Sequence, residues 1–367
     1  MRKHDLIVIG AGPAGSTCAA LSAMSGKKVL LLEASRFPRD KVCGDCLNPT
    51  GWPVLDELGI AEQVRSLPST IPQKIRFSVV GAGQTEIPLP PSNESSPELV
   101  VRRRDLDALL AEHAIASGVT FQDGSPVTSL RKVSDLWEIT TSLGESHLAK
   151  LIVAADGRNS VTARHLGMHP PLRRTARIGL QTHIPHPEGY DGTLEMRIYK
   201  NGYGGLADLG SGLANLCLVA NDGAMKDLRK EAEEYYPVAS AAAWRSVTPI
   251  SRATARSVAN DGVYLCGDAA RVVEPFTGEG ISFALRSGSL LAGILSSGES
   301  DSPGILLKKE ELYRRGHRDL YGNGLLVNQL TRLLSEYPRI AHTLAPLILG
   351  YPDLLSLLTS KVIRQQY

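Results

Sequence analysis

Six residues near the start of the chain, Gly10-Ala11-Gly12-Pro13-Ala14-Gly15, have the G-x-G-x-x-G spacing that lets backbone approach phosphate. The first glycine makes the tight turn, the second leaves room for a pyrophosphate, and the third lets helix pack on strand. A wholly apolar run, Leu6-Ile7-Val8-Ile9, precedes them, and a small-residue helix from Ala14 to Ser25, closed by Gly26, follows. The next apolar run, Val29 to Leu32, ends at Glu33, at the distance needed to bond a ribose hydroxyl. This strand, turn, helix and strand form one right-handed βαβ unit, with free amides and a positive helix end facing the phosphates. By itself the unit suits NAD or FAD.

Further residues could do chemistry. Cys43-Gly44-Asp45-Cys46 has dithiol spacing, but no second ligand pair exists, so no metal site is expected. A dithiol–disulfide enzyme would usually add a second dinucleotide fingerprint, and none stands between 160 and 260; packing beside the cofactor is the expected role. Arg103 stands among Arg102 and Arg104 at a helix start, and Asp156 precedes a glycine, so a solvated charge and a simple turn are their bland alternatives. His183, Tyr199 and Tyr203 are acid–base candidates, though each type is more often structural.

Four motifs follow one another in order: the fingerprint, Arg103-x-x-Leu106-Asp107, Ala155-Asp156-Gly157-Arg158-Asn159-Ser160, and Gly267-Asp268-Ala269-Ala270 with Pro275-x-x-Gly278-x-Gly280. Together they resemble the FAD-binding set shared by aromatic-ring monooxygenases (p-hydroxybenzoate hydroxylase-like), flavin-dependent halogenases and geranylgeranyl reductases. The resemblance covers about residues 1–50, 100–165 and 255–290. It implies that Asp268 bonds the ribityl and pyrophosphate region, that Arg103 contacts the pyrophosphate side, and that Asp156 touches FAD and the nicotinamide cofactor. It extends the flavin-binding set to Ala34, Val127, Gly267, Glu279 and Ile281, and Lys41-Val42-Cys43-Gly44 matches the corresponding reductase element. Amides from Pro275 to Gly280, at the start of an apolar helix, would face the flavin's pyrimidine edge, where reduction places negative charge.

These motifs need an α/β (α+β overall) frame: a Rossmann-type FAD-binding domain with an inserted, mostly antiparallel substrate domain and C-terminal helices. Leu151–Ala155 and Val263–Cys266 read as further buried parallel strands, and a helix is expected over Asp105–Ser117. A polar, Pro-rich stretch runs from Pro88 to Pro97, and short strands with Gly-rich turns are expected from Ile178 to Ala220. The expected boundaries are 1–70, 101–168 and 252–300 for the FAD-binding domain, 71–100 and 169–251 for the substrate domain, and 301–367 for the helices. The 367 residues are 43% hydrophobic with a net charge of +2, an ordinary core and no electrostatic reason to expect nucleic acid. Five scattered cysteines do not form a disulfide framework, and the first turn breaks up any signal-peptide pattern; a cytoplasmic location is expected.

For the reaction, Gly202-Tyr203-Gly204-Gly205-Leu206-Ala207-Asp208 keeps the tyrosine of the reductase motif but lacks its tryptophan and Phe-Pro. The halogenase tryptophan motif is missing too. Hydroxylation needs fewer dedicated side chains, because the oxygen chemistry belongs to the cofactor. The sequence thus slightly favours an NAD(P)H-dependent monooxygenase of an apolar or aromatic small molecule over a reductase of carbon–carbon double bonds in a lipid or isoprenoid. The leucine-rich Leu325–Ile363 stretch reads as helices packed on the flavin domain, or as a cover for a greasy substrate and a peripheral membrane contact. The oligomeric state is left open.

Overall fold

A computed structural model describes residues 2–89, 96–170, 177–239, 241–250, 254–297, 302–322 and 337–364. Its central layer is a six-stranded sheet in the order Ala259–Asn260, Val263–Leu265, Leu151–Ala154, Leu6–Ile9, Val29–Leu32 and Thr120–Gln122, parallel except at the first edge. Leu6–Ile9, Val29–Leu32 and Leu151–Ala154 are buried at every residue, which is why they read as unbroken apolar runs.

One face carries the helices Pro13–Met24, Arg103–Ala116 and Gly280–Leu295 around the largest apolar cluster. The other is covered by a four-stranded sheet of Arg2–Lys3, Ser146–Ala149, Leu136–Thr141 and Val127–Val133, through Leu130, Trp137 and Ile139. No sequence signal marked this second sheet, whose alternation is broken by charged residues. The helix expected from Asp105 begins at Arg103, where Arg102 leaves helical geometry.

The strands expected to be short run seven to nine residues: Arg177–Pro185, Thr193–Tyr199, Gly202–Gly210 and Leu213–Asn221. With Arg245–Val247, Lys74–Val79 and Gly83–Pro88 they make a seven-stranded, largely antiparallel sheet. Its glycines are spent inside strands, where neighbours leave no room for a side chain: a Cβ on Gly202 would meet the Val219 carbonyl. The helix Met225–Glu233 buries Met225, Leu228 and Ala232 on the outer face of this sheet.

The expected grouping of 71–100 divides. Lys74–Pro88 joins the large sheet, whereas Leu99–Val101 pairs with Cys46–Leu47 and Ser69–Thr70 in a three-stranded sheet. The C-terminal helices divide as well. Pro303–Gly322 packs on Gly280–Leu295, but Pro338–Gly350 and Pro352–Arg364 pack on strands at one edge of the large sheet, not on the central layer alone. Residues 323–336, the start of the leucine-rich stretch, lie outside the described residues. Among the described residues, no helix is long and apolar enough to cross a membrane.

Candidate functional site

The fingerprint glycines meet three different steric demands. Gly10 has φ +99°, and a Cβ there would strike the Ala155 carbonyl on the neighbouring strand. A Cβ on Gly15 would overlap the Gly10 carbonyl, so the third glycine is needed for the turn to close. Gly12 is open: its nearest neighbours would be the guanidinium nitrogens of Arg39 and Arg103, at 3.8 and 3.9 Å. No side chain caps the helix Pro13–Met24, so its first amides are available.

A cavity runs from this turn to the large sheet. At its polar end stand Gly12, Lys41, Arg103, Arg158 and Asp268. Arg103 is buried and forks onto Asp107 through Nε and one terminal nitrogen, both at 2.8 Å. Asp107 also accepts from Arg39 at 2.9 Å, and these cations hold its carboxyl below the usual range against its burial. Burial, with Arg103 and Arg39 nearby, lowers Lys41 to about 8. Cations clustered around an open glycine and an uncapped helix fit the two phosphates of a dinucleotide.

The expected flavin residues distribute unevenly. Pro13, Ala14, Cys43, Gly44, Asp268, Pro275, Gly278, Gly280 and Ile281 line the cavity with Gly12 and Arg103. Glu33 is buried at the end of its strand, accepting from the Ala11 and Ser35 amides at 2.9 Å with Arg39 3.6 Å away. Those bonds leave lone pairs for a ribose hydroxyl. Gly267 has φ +60° in the turn before Asp268, and its amide donates to Ser287 Oγ. Glu279 is buried at the start of the helix Gly280–Leu295.

Three others stand apart. Asp156 turns Oδ2 onto the start of the helix Val161–His165, accepting from the Val161 and Thr162 amides beside the capping Ser160, while its Oδ1 has no partner among the described residues. Ala34 is exposed, and Val127 packs beside the second sheet's apolar cluster.

Of the acid–base candidates, Tyr203 alone lines the cavity. Its hydroxyl donates to Glu274 at 3.0 Å, Glu274 pairs with buried Arg177 at 2.6 Å, and Phe276 packs edge-on against its ring. Tyr199 belongs to the opposite face of the sheet, against the outer helix. His183 is half-buried and does not reach the cavity.

The Cys43–Cys46 loop is stitched to the large sheet. The Cys43 amide donates to Gln181, and its carbonyl accepts from Asn215 Nδ2 at 2.8 Å and from the Cys217 thiol. Asp45, at φ +60°, accepts from the Arg103 amide and Asn215 while burial pushes it to about 7. All five cysteines are free, and burial raises the thiols of Cys43 and Cys46, the opposite of an activated dithiol.

Beyond this polar end the lining is mostly apolar, with Ile75, Leu194, Met196, Leu206, Val219 and Ile250 from the large sheet and its neighbours, and with Glu98, Glu195, Tyr203 and Asn215 among them. Thr359 of the last helix, Pro352–Arg364, also reaches it. Sequence reasoning missed Arg39, Arg177, Glu274, Asn215 and Glu98, all brought in from separate elements. Only the charge of Arg39, six residues after Glu33, offered a local hint.

Comparison with known proteins agrees with this geometry. Residues 3–183 match the FAD binding domain family. The chain is 29% identical to a menaquinone reductase of Mycolicibacterium smegmatis over 97% of this chain and 90% of that protein. It is 27% identical to a digeranylgeranylglycerophospholipid reductase of Methanocaldococcus jannaschii over 80% of this chain and 77% of that one. A flavin-dependent brominase shares the fold at a TM-score of 0.77 and 19% identity, over 98% of this chain and 93% of that structure. A probable FAD-dependent monooxygenase from Pseudomonas aeruginosa does so at 0.73 and 16%, over 89% and 96%. The chain is an enzyme that matches the FAD binding domain family over residues 3–183 and is similar along most of its length to FAD-dependent oxidoreductases.

Proposed function

We propose that this enzyme reduces a carbon–carbon double bond in a lipid carrying an unsaturated isoprenoid chain, with NAD(P)H as the source of electrons. The observation that carries this reading is the cavity's second half. Its wall is mostly apolar, with Ile75, Leu194, Met196, Leu206, Val219 and Ile250 around Glu98, Glu195, Tyr203 and Asn215, and the helix that reaches it through Thr359 exposes Leu354 and Leu357. An extended hydrocarbon chain suits such a slot better than a small polar aromatic does. The similarity to the menaquinone reductase spans 97% of this chain, which supports a shared substrate class. The hydroxylation favoured from sequence keeps one specific support, the missing tryptophan and Phe-Pro of the reductase motif.

When bound, FAD supplies hydride to substrate or, in hydroxylation, carries oxygen to it. The chain's part is to hold it. In this reading the turn at Gly10, Gly12 and Gly15, with Pro13 and Ala14, takes the pyrophosphate beside Arg103. Glu33 takes the ribose, and Asp268 takes the ribityl side. Cys43, Gly44 and the segment Gly267, Pro275, Gly278, Glu279, Gly280 and Ile281 flank the ring. Asp156 supports this arrangement through the amides at the start of its helix. The flavin layer corresponds to 1–70, 101–168 and 252–300, and the substrate layer to 169–251 with the Lys74–Pro88 hairpin. The exposed leucines of the last helix would rest on a lipid surface from which the substrate enters.

The test is product mass. Protein reduced under strict anaerobiosis and given a polyprenyl lipid should yield a product two hydrogens heavier. A product formed only in air, carrying an atom from labelled O₂, would establish hydroxylation instead.

A further inference from the structure

Reducing a double bond needs a proton as well as a hydride, and few cavity groups are free to give one. Tyr203 has its proton committed to Glu274. Asp45 has both oxygens engaged, by the Arg103 amide and Asn215. Lys41 stands at the phosphate end with Arg39 and Arg103.

Glu98 is different. It lines the cavity, yet its side chain is only 8% exposed, and its Oε2 has no hydrogen-bond partner among the described residues. Its position is built. The ladder pairs Leu47 with Leu99, which sets Glu98 across from Asn48, another lining residue. Trp52 Nε1 donates to the Pro97 carbonyl at 2.7 Å, pinning the chain just before it. Ser282, in the helix Gly280–Leu295, donates to the Asn48 carbonyl at 2.9 Å and ties this wall to the segment that would face the flavin ring.

Leaving a charged carboxylate buried with a bare oxygen is costly; a neutral acid is far cheaper. The groups facing Glu98 agree. Glu279, itself buried, is the charge that acts on it, the Cys46 thiol is the other titratable neighbour, and among the described residues no cation forms an ion pair with it.

We propose that Glu98 is the general acid of the cavity: its carboxyl gives a proton to one carbon of the substrate double bond as hydride arrives from reduced flavin at the other. The carbon–carbon π bond breaks, two C–H bonds form, the flavin is oxidised by two electrons, and the carboxylate left on Glu98 takes a proton from solvent. This rests on the reductase reading. Burial and Glu279 push Glu98 up to about 8, so the acid form that the step requires dominates near neutrality and is lost above that pH.

The experiment compares wild type, Glu98→Gln and Glu98→Asp as FAD-loaded protein. Glu98→Gln should keep its flavin content and its rate of flavin reduction, while lipid reduction falls by about 10²–10⁴-fold. Wild-type turnover should decline as pH rises through about 8, and Glu98→Asp should recover part of the rate with a displaced decline. Infrared difference spectra across the same pH range, without substrate, should show a protonated carboxyl band in wild type that Glu98→Gln lacks. Turnover of Glu98→Gln within about threefold of a competent wild type would overturn the role. If wild type saturates no double bond, the reductase reading fails, and the infrared band decides Glu98 alone. Its loss in Glu98→Gln then keeps Glu98 as a buried acid, and its persistence removes it.

Discussion

The two ends of the cavity are built on opposite principles. At the fingerprint end, geometry is set by backbone crowding: Gly10 and Gly15 sit where a single methyl group would collide with a carbonyl. Charge there is cationic and partly matched, with Arg39 and Arg103 sharing Asp107. At the sheet end, crowding is between side chains of separate strands: a Cβ on Gly179 would meet Ile250. The wall is made largely of strand residues, and one of its polar constellations, Tyr203, Glu274 and Arg177, is assembled from three separate segments. On the proposed reading, a cofactor common to many enzymes would be met by a tightly constrained turn, and the substrate by long-range packing that can vary without breaking the fold.

The largest effect should separate two glycines of one motif. Gly15→Val drives a side chain into the Gly10 carbonyl and should cost more than about 4 kcal/mol, leaving little folded protein. Gly12→Ala meets only two guanidinium ends at 3.8 and 3.9 Å and should fold, yet purify colourless because the methyl stands where phosphate belongs. Circular dichroism beside flavin absorbance distinguishes the two. A yellow, fully loaded Gly12→Ala protein would remove the turn from the phosphate site.

Next, one buried ion pair can be broken at each end. Arg103→Met leaves Asp107 with Arg39 as its remaining cation, and Glu274→Leu leaves Arg177 without its carboxylate. Each should lower stability by about 3–5 kcal/mol. The consequences should differ: Arg103→Met loses FAD affinity, whereas Glu274→Leu keeps the flavin and weakens substrate turnover. Denaturant melts with flavin-fluorescence titrations test this. Equal loss of FAD from both variants would mean that the two ends are not separable.

These contrasts also explain what was legible in the sequence. The parallel strands announced themselves because burial on both faces leaves no polar residue in Leu6–Ile9 or Leu151–Ala154. The fingerprint was legible because its three glycines stand at fixed spacing in one turn, although Gly10 answers to Ala155 on a distant strand and only Gly15 to a contact within the turn. Asp156 reads as a cofactor residue from its motif; its spacing also lets one oxygen meet the Val161 and Thr162 amides, while Oδ1 has no hydrogen-bond partner among the described residues. The Val127–Ala149 sheet escaped notice because one of its faces is solvated and charged. Glu98 and Glu274 could not be found: each acquires its environment from segments 45 or more residues away, such as Trp52 and Arg177.

A smaller effect sharpens the polar end. Two phosphates beside Lys41 should raise its pKa above the value of about 8 that burial and the neighbouring arginines impose. Binding FAD then takes up a proton at alkaline pH, so affinity should fall as pH rises above about 8 and be level below it. Lys41→Met should weaken binding by roughly tenfold, about 1.4 kcal/mol, and flatten that pH dependence. Titration of apoprotein at several pH values measures both, and an unchanged slope in Lys41→Met would place the phosphates elsewhere.

The smallest effect on the protein itself tests the far end. Leu354 and Leu357 are 50% and 53% exposed, one helical turn apart, so they present one apolar strip to solvent. Replacing either with lysine removes no buried contact of note and should change stability by no more than about 0.5 kcal/mol. It should, however, weaken binding to phospholipid vesicles. Burying half a leucine is worth about 1 kcal/mol, and the added charge resists entry into the acyl boundary. The double variant should therefore shift vesicle partition by tenfold or more while its melting temperature and flavin content stay level. Turnover of a detergent-dispersed lipid should also stay near the wild-type rate, because only delivery from a surface has been damaged. If vesicle binding does not change, the strip is not the route by which substrate reaches Thr359 and the apolar half of the cavity.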